Sequence, residues 1–237
     1  MAHHGKRYHD TIQQVDREKE YGPAEAVDLL KEVARAKFDE TVEMHMRLNV
    51  DPRHADQQVR GTVSLPAGSG KSVRIIVFAE GEAAAAAERA GADYVGTDEY
   101  VKQIQDGWLE FDVAVAIPQA MGKIGRLGRV LGPRGMMPSP KAGTVVQPDD
   151  MESTIQELRQ GRVEYRVDRT SNIHMPIGKM SFSAEQILQN LVAATSAIVR
   201  ARPASVRGRY IQRMTLTATM SPGIRLNVGE TTEFVLP

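Results

Sequence analysis

The alternation of hydrophobic and polar positions changes period along the chain, and each period predicts one kind of element. Residues 23–37 carry apolar side chains at helical spacing behind an initial proline, which predicts an amphipathic helix. In residues 42–50, apolar and polar side chains alternate, which predicts a long strand with one face on a core and the other in water. The same alternation in residues 162–168 and 209–220 predicts two further half-buried strands.

These elements fall at the two ends of the chain. The first end adds only a short strand (residues 59–65), and the second adds a helix over residues 183–201 that opens with a capping-box pattern. Neither end alone would bury a core of ordinary domain size. The sequence therefore predicts one discontinuous α+β domain of the split β-α-β type, built from residues 1–67 and 161–237, with helices on one face of an antiparallel sheet.

The middle of the chain has a different texture. Two apolar runs, which begin at Val73 and at Val113, show no alternation, and helical patterns separate them. Such runs are typical of parallel strands that are covered on both faces. Residues 68–160 are therefore expected to form an inserted doubly wound, Rossmann-like α/β domain.

Positive charge is unevenly distributed. The chain has 30 Lys and Arg against 30 Asp and Glu, a balance that argues mildly against a generic nucleic-acid binder. Residues 113–148, however, contain no acidic residue, and basic residues outnumber acidic ones in residues 161–225. The charge pattern therefore favours local contact with a polyanion.

The acid-free segment contains the run MGKIGRLGRVLGPRGMMPSPKAGTVV, residues 121–146. Glycine and proline disfavour a helix interior by about 1 and 3 kcal/mol each. We expect an ordered loop whose exposed backbone N–H groups and unpaired cations suit phosphate groups. The alternative is a solvated loop whose charges only keep the protein soluble. The cations of this run are Lys123, Arg126, Arg129, Arg134 and Lys141.

Motifs of enzymes and of metal proteins are missing or incomplete. Gly70, Lys71 and Ser72 look like the end of a phosphate-binding loop, but Leu65 stands where that loop requires a glycine. There is no cysteine, the histidines show no metal-binding spacing, and no serine lies in a nucleophile elbow. No apolar run suits a membrane span or a signal peptide. We therefore expect no catalytic residue, no metal, no cofactor and no membrane partner, and a cytoplasmic location.

The run of residues 121–146 resembles the signature of a known family, the L-one proteins of the bacterial large ribosomal subunit. That signature reads G-x-x-G-x-L-G-x-x-L-G-P-x-G-x-M-P-x-P-K-x-G-T-V, and every fixed position is matched from Gly122 to Val145. The resemblance extends over nearly all of the chain, from Gly5 to Asn227. It implies a two-domain architecture in which both chain ends build one domain.

The resemblance also implies a function. The protein would be a structural, RNA-binding component of the ribosome that is a monomer when free. Its partners would be the stalk of large-subunit ribosomal RNA, the exit-site tRNA, whose release it would aid, and its own messenger RNA, whose translation it would repress.

Three segments carry the RNA-binding residues that the resemblance implies. Residues 37–43 match a K-F-x-E-T-V-E segment of the family, residues 217–222 resemble its T-T-M-G-P segment, and residues 165–170 supply a further edge. An aromatic ring can pack on a base or ribose, and hydroxyl and carboxylate groups can bind the 2′-OH groups of RNA. The predicted RNA-binding residues are Lys37, Phe38, Thr41, Glu43, Arg166, Asp168, Thr170, Thr217, Thr219, Met220 and Ser221. The cations of residues 121–146 would make secondary contacts with ribosomal RNA or tRNA.

Two of these positions are open to a second interpretation. By spacing alone, Phe38 extends the apolar stripe of the first helix and would belong to the core. Ser221 replaces a glycine of the family, and a turn with positive φ would disfavour serine there.

Two other classes of function compete with RNA binding. An α/β enzyme acting on a phosphorylated small molecule would use the glycine-rich run as its phosphate cradle. A purely scaffolding, ribosome-associated protein would use its surfaces only for assembly.

Overall fold

The computed structural model of the protein describes residues 5–234. The strands are β1 (Thr41–Leu48), β2 (Arg60–Ser64), β3 (Ile75–Phe78), β4 (Tyr94–Val95), β5 (Val113–Ala116), β6 (Arg162–Arg166), β7 (Asn172–Lys179), β8 (Ile211–Ala218) and β9 (Ile224–Leu226). The helices are α1 (Lys6–Ile12), α2 (Pro23–Val33), α3 (Glu82–Arg89), α4 (Asp98–Gln105), α5 (Met121–Ile124), α6 (Gly128–Leu131), α7 (Met151–Arg159), α8 (Ala184–Arg200) and α9 (Val228–Glu233).

The residues pack into two compact units. Of the described residues, one unit contains 5–70 and 161–234, and the other contains Lys71–Gln160. The elements of both units confirm a mixed fold of α+β and α/β character. The predicted division into one domain of residues 1–67 and 161–237 and an inserted domain of residues 68–160 stays a prediction.

The first unit is built on a four-stranded antiparallel sheet with the order β7-β1-β8-β9. Helices α2 and α8 pack on each other and on this sheet. The predicted alternation is confirmed, because Val42, Met44, Met46 and Leu48 of β1 are buried in the core of this unit. Strands β2 and β6 form a separate antiparallel ribbon. One face of the main sheet is thus covered by helices, and the opposite face carries the polar residues.

The long helix α8 is opened by the predicted capping box. Ser183 Oγ accepts a hydrogen bond from Gln186 N at 3.2 Å, and Gln186 Oε1 accepts one from Ser183 N at 2.8 Å. These bonds satisfy two of the backbone donors that a helix start leaves without partners. The helix therefore begins at Ala184, at the place that the sequence indicates.

The first long helix is shorter than predicted. Helix α2 ends at Val33, and Ala34 is already extended, so the predicted continuation to residue 37 is wrong. The reason lies in Glu40, whose Oε1 accepts a hydrogen bond from Ala36 N at 3.0 Å. That bond holds residues 34–40 as a loop, and the loop carries Lys37 and Phe38 out of the apolar stripe of α2.

The second unit contains a three-stranded parallel sheet with the order β4-β3-β5. All four residues of its central strand β3 are buried, as the run without alternation predicts. Helices α3 and α7 pack on each other beside the sheet. The predicted parallel sheet with intervening helices is therefore confirmed for this part of the chain.

The glycine-rich run differs from the predicted loop. Between Pro118 and Leu131 it forms consecutive short helical turns, which include α5 and α6. The cause is a set of apolar residues at helical spacing, Ala120, Ile124, Leu127 and Leu131, which are buried in the core of the second unit. The absence of one long helix was predicted correctly, but many of the backbone N–H groups expected to be free are used in these turns.

Candidate nucleic-acid interface

The polar face of the four-stranded sheet brings several predicted residues together. We call this surface the outer face; its central strand β1 contributes Thr41, Glu43, His45 and Arg47. The rows across β7, β1 and β8 are Lys179 with Thr41, then Pro176, Glu43 and Thr217, then His174, His45 and Thr215, then Asn172, Arg47 and Arg213. The outer face therefore presents hydroxyl, carboxylate, imidazole and guanidinium groups in regular rows.

Two exposed apolar side chains flank one end of the outer face. Phe38 is 55% exposed and Met220 is 64% exposed, so the interpretation of Phe38 as a core residue is wrong. Beside them, Thr41 N donates a hydrogen bond to Thr219 Oγ1 at 3.1 Å. Lys179 Nζ donates another to Thr41 Oγ1 at 2.8 Å. We call Phe38, Thr41, Thr219 and Met220 the Phe38 corner.

The buried side chain of Glu40 supports the Phe38 corner, and Glu40 was not among the predicted site residues. Its side chain is only 2% exposed, and Oε2 accepts a hydrogen bond from Met220 N at 2.7 Å. The other oxygen binds Ala36 N, so a single carboxylate connects the loop of Phe38 to the turn of Met220. The sequence did contain a signal for its burial, because residue 40 precedes Val42 and Met44 by steps of two and so falls on the buried side of the alternating pattern.

The turn of Ser221 requires no positive φ. Among the residues that the structure describes, Ser171 is the only one other than glycine with positive φ. Ser221 Oγ accepts a hydrogen bond from Ala218 N at 2.8 Å, and Ser221 N donates one to Ala218 O at 3.1 Å. Thr217 Oγ1 donates to Ser221 O at 3.3 Å. Serine is therefore compatible with this turn, and its hydroxyl helps to close it.

A second group of predicted residues forms the turn between β6 and β7. Asp168 Oδ1 accepts hydrogen bonds from the backbone N atoms of Thr170 and Asn172, both at 2.8 Å, and Thr170 Oγ1 donates to the same carboxylate. Burial alone would raise the pKa of Asp168, but these hydrogen bonds from Asn172 and Thr170 outweigh it and lower the pKa to about 2. Asp168 is thus a carboxylate that organises its own turn.

We predict that Asp168→Asn lowers the thermal unfolding midpoint near about pH 6. The pKa of Asp168 is about 2 in the folded protein against a usual value of 3.8, so the carboxylate stabilises the fold above that usual value. This stabilisation is lost as the pH falls from about 4 through about 2. Thermal unfolding of the wild type and of Asp168→Asn over this range should show that the difference between their midpoints vanishes in acid. The control is Asp28→Asn, at an exposed aspartate of α2, whose midpoint should differ little from that of the wild type at any pH. A difference that stays constant with pH would contradict this role.

The two groups lie at opposite ends of the β1 and β7 ladder. Thr41 pairs with Lys179 at one end, and Arg47 pairs with Asn172 at the other. Six residues of extended strand separate the two rows, which is roughly 20 Å at about 3.3 Å per residue. Arg166 is exposed on the ribbon of β2 and β6. The predicted residues therefore form an extended strip and not one compact pocket.

A cleft adjoins the Phe38 corner. Its volume is about 640 Å³. Its lining includes Lys6, Tyr8, Arg35 and Lys37 together with Phe38 and Met220. Lys6, Tyr8 and Arg35 were not among the predicted site residues. The cleft combines cationic and aromatic groups beside the outer face.

The cations of the glycine-rich run are not all available. Lys123 Nζ contacts Glu80 Oε1 at 2.6 Å and Asp98 Oδ2 at 2.9 Å, and these hydrogen bonds, first with Glu80 and then with Asp98, raise the pKa of Lys123. The expectation of an unpaired cation is therefore wrong for Lys123. The exposed cations of the run that have no ion pair to another described residue are Arg126, Arg129, Arg134 and Lys141.

Within residues 5–234, no three His, Asp or Glu side chains are arranged to hold a metal ion. In the same range, no helix has the length and apolar character to cross a bilayer.

Comparison with known proteins identifies the family. Residues 30–222 match the model of the ribosomal protein L1p/L10e family. The chain is 55% identical over 234 residues to the large ribosomal subunit protein uL1 of Thermomicrobium roseum, and the match covers 98% of this chain and 97% of that protein. Members of this family are structural RNA-binding proteins of the ribosome, and the bacterial uL1 protein is part of the cytoplasmic ribosome, which excludes the α/β enzyme as an alternative. The chain belongs to the ribosomal protein L1p/L10e family.

Proposed function

We propose that the outer face and the Phe38 corner bind the stalk region of large-subunit ribosomal RNA. The observation that carries this proposal is the exposure of Phe38 and Met220 on a rigid support, the buried carboxylate of Glu40. An exposed aromatic side chain whose backbone is held in place can stack on a base with little further loss of backbone conformational entropy, and an apolar neighbour can pack beside it.

The groups beside these side chains suit RNA. The hydroxyls of Thr41 and Thr217 and the carboxylate of Glu43 lie in adjacent rows of the outer face. Such groups can exchange hydrogen bonds with 2′-OH groups, which DNA lacks. Lys37 is exposed beside Phe38, and Arg47 and Arg213 are exposed at the far end of the face, where phosphates can be neutralised.

The strip is long enough to follow a folded RNA. Its length of roughly 20 Å corresponds to several nucleotides, since the phosphates of one strand of a double helix such as DNA are about 3.4 Å apart along the helix axis. In this proposal the Phe38 corner and the Asp168 turn, with Arg166 and Thr170, contact separate parts of one RNA. Shape recognition across such a span requires the rigid turns that Ser221 and Asp168 close.

The remaining parts of the proposal concern other RNA partners. Arg126, Arg129, Arg134 and Lys141 would make weaker, mainly electrostatic contacts with ribosomal RNA or exit-site tRNA and thereby aid tRNA release. The same outer face would bind a stalk-like fold in the protein's own messenger RNA and repress its translation, because one surface would recognise both RNAs by shape. The free protein would act as a monomer.

The test compares a stalk-like RNA hairpin with the DNA hairpin of the same sequence over a salt series. We expect tight binding of the RNA only. A plot of log affinity against log salt concentration should have a negative slope of several units, about 0.7 to 0.9 for each phosphate neutralised. Replacing Arg126, Arg129, Arg134 and Lys141 by alanine should reduce this slope and leave most of the affinity. Equal affinity for RNA and DNA would exclude 2′-OH recognition, and no binding of the RNA would favour the scaffolding alternative. Competition by the leader of the protein's own messenger RNA tests the repressor part.

A further inference from the structure

A pair of histidines lies in the middle of the outer face, between the two groups of predicted RNA-binding residues. His45 of β1 and His174 of β7 are direct neighbours in the ladder. Their Nδ1 atoms are 2.8 Å apart, and their rings meet edge to face with centroids 4.9 Å apart. His45 Nε2 lies 3.6 Å from Glu43 Oε2, and His174 Nε2 lies 3.6 Å from Asp168 Oδ2. We call Glu43, His45, His174 and Asp168 the histidine chain.

The number of protons in the histidine chain follows from this geometry. A hydrogen bond between two Nδ1 atoms requires one Nδ1 to donate and the other to accept. When both rings are neutral, the ring whose Nδ1 donates carries no hydrogen on its Nε2. The carboxylate next to that Nε2 therefore faces a lone pair instead of an N–H donor. One additional proton gives both Nε2 atoms an N–H, and both carboxylates then face a donor. A second additional proton would place an N–H on each Nδ1 and break the contact between the rings.

The surroundings of the pair set how readily that proton is held. On β1 the neighbours on the same face are Glu43 and Arg47, on β8 they are Thr215 and Arg213, and the turn before β7 supplies Asp168. Partial burial first, and the nearby His174 second, lower the pKa of His45 below its usual range, although Glu43 opposes this shift. The carboxyl of Asp168 has a pKa of about 2 and remains ionised at any pH where a histidine titrates.

We propose that the histidine chain is a further part of the RNA-binding surface, which takes up one proton when RNA binds. This inference rests on the proposed function of the outer face. RNA phosphates above the face would stabilise the added positive charge, and the two Nε2–H groups would each hold one oxygen of Glu43 and Asp168. The second oxygen of Glu43 would then point to an RNA hydroxyl, whereas Asp168 Oδ1 stays bound to the backbone N atoms of Thr170 and Asn172. His45 is thus a positioning residue for Glu43, and His174 connects His45 to the fixed carboxylate of Asp168.

The direction of the pH dependence follows from linkage. Bound RNA raises the pKa of the histidine pair above its value in the free protein. RNA affinity is therefore highest at a pH below the pKa of the free protein. It falls as the pH rises from that pKa through the higher pKa of the complex. Uptake of one proton corresponds to a change of up to about tenfold in affinity per pH unit inside this window.

The experiment uses the full chain and a stalk-like RNA hairpin at constant ionic strength from about pH 5.5 to about pH 8.5. Calorimetry in two buffers with different ionisation enthalpies measures the protons taken up per complex. We expect up to about one proton for the wild type and close to none for the double variant His45→Gln/His174→Gln, whose glutamines cannot titrate. His54→Gln is the matched control, because His54 contacts a single carboxylate, Asp51 at 3.7 Å, and lies outside the outer face. That variant should keep the uptake of the wild type.

The outcomes separate this inference from the proposed function. If the wild type binds the hairpin with no proton uptake and with an affinity independent of pH, the histidine chain has no such role, although the outer face still binds RNA. If the wild type binds no hairpin at any pH, both proposals are wrong. Histidine NMR signals of the free protein give a second readout, since one shared proton should change the signals of His45 and His174 together in one step. Separate steps for the two residues would overturn the shared proton even if the double variant proves too unstable to study.

Discussion

Replacing Phe38 and Met220 together by alanine is expected to lower the affinity for a stalk-like RNA hairpin by roughly 100-fold, or about 3 kcal/mol. Stacking of a base on an aromatic side chain commonly contributes about 1 to 3 kcal/mol, and an apolar neighbour at the centre of a contact adds to it. Both side chains are more than half exposed, so their removal should leave the thermal unfolding midpoint nearly unchanged. Filter binding of the double variant and of each single variant, together with thermal unfolding, measures both effects.

The chain offers a matched control for this loss. Phe234 is 59% exposed, close to the exposure of Phe38, and follows the last helix α9 instead of flanking the outer face. Phe234→Ala should bind the hairpin like the wild type. If Phe234→Ala and the double variant weaken binding equally, the effect would be general hydrophobicity, and the assignment of the Phe38 corner would be wrong.

Glu40→Ala is expected to reduce both the stability of the fold and the affinity for RNA. The substitution leaves the backbone N–H groups of Ala36 and Met220 without their acceptor, in a place where Glu40 itself is buried. Hydrogen bonds to a charged group contribute about 1.5 to 3 kcal/mol each, so the free energy of unfolding should fall by about 3 to 6 kcal/mol. Because the same bonds hold Phe38 and Met220, RNA affinity should fall as well, even at temperatures where the variant is folded.

Two further variants separate the role of Glu40 from a general effect of charge removal. Glu40→Gln keeps one acceptor oxygen but presents an NH₂ group to the second backbone donor, so an intermediate loss of stability is expected. Asp39→Ala removes an exposed neighbour that binds Ser181, and its loss should be much smaller. Chemical denaturation of the three variants gives the order. Equal stability of Glu40→Ala and Asp39→Ala would show that the buried carboxylate does not hold the corner.

The regular part of the fold was predictable because periodicity reports burial directly. The alternation in residues 42–50 gave β1 and its buried face, and the capping pattern at Ser183 gave the start of α8. In both cases the local signal and the tertiary environment agree. The resemblance to a known family was also confirmed, since it depended on a long run of matched positions.

The errors arise where burial or a side-chain contact outweighs the pattern that the sequence shows. Phe38 continues the apolar stripe of α2 in sequence. The helix nevertheless ends at Val33, because the buried Glu40 binds Ala36 N, and the resulting loop exposes Phe38. Lys123 looks unpaired in an acid-free segment, yet its partners Glu80 and Asp98 come from earlier parts of the chain. The glycine-rich run was expected to be a loop because the prediction relied on its glycine and proline content and not on the helical spacing of its buried apolar residues. Propensity is a weak guide where burial favours a helical turn.

The strand order of the main sheet has a consequence for synthesis of the protein. Strand β1 is made early, but the residues that hold Thr41 come much later, Lys179 after 138 residues and Thr219 after 178. At about 5 to 20 residues per second, the nascent chain waits roughly 10 to 35 s before the last of these residues is made. A chain released before β8 is made therefore lacks one of the three strands of the outer face, together with Thr217, Thr219 and Met220. Under the RNA-binding proposal, such a chain would compete poorly with the finished protein for the same RNA.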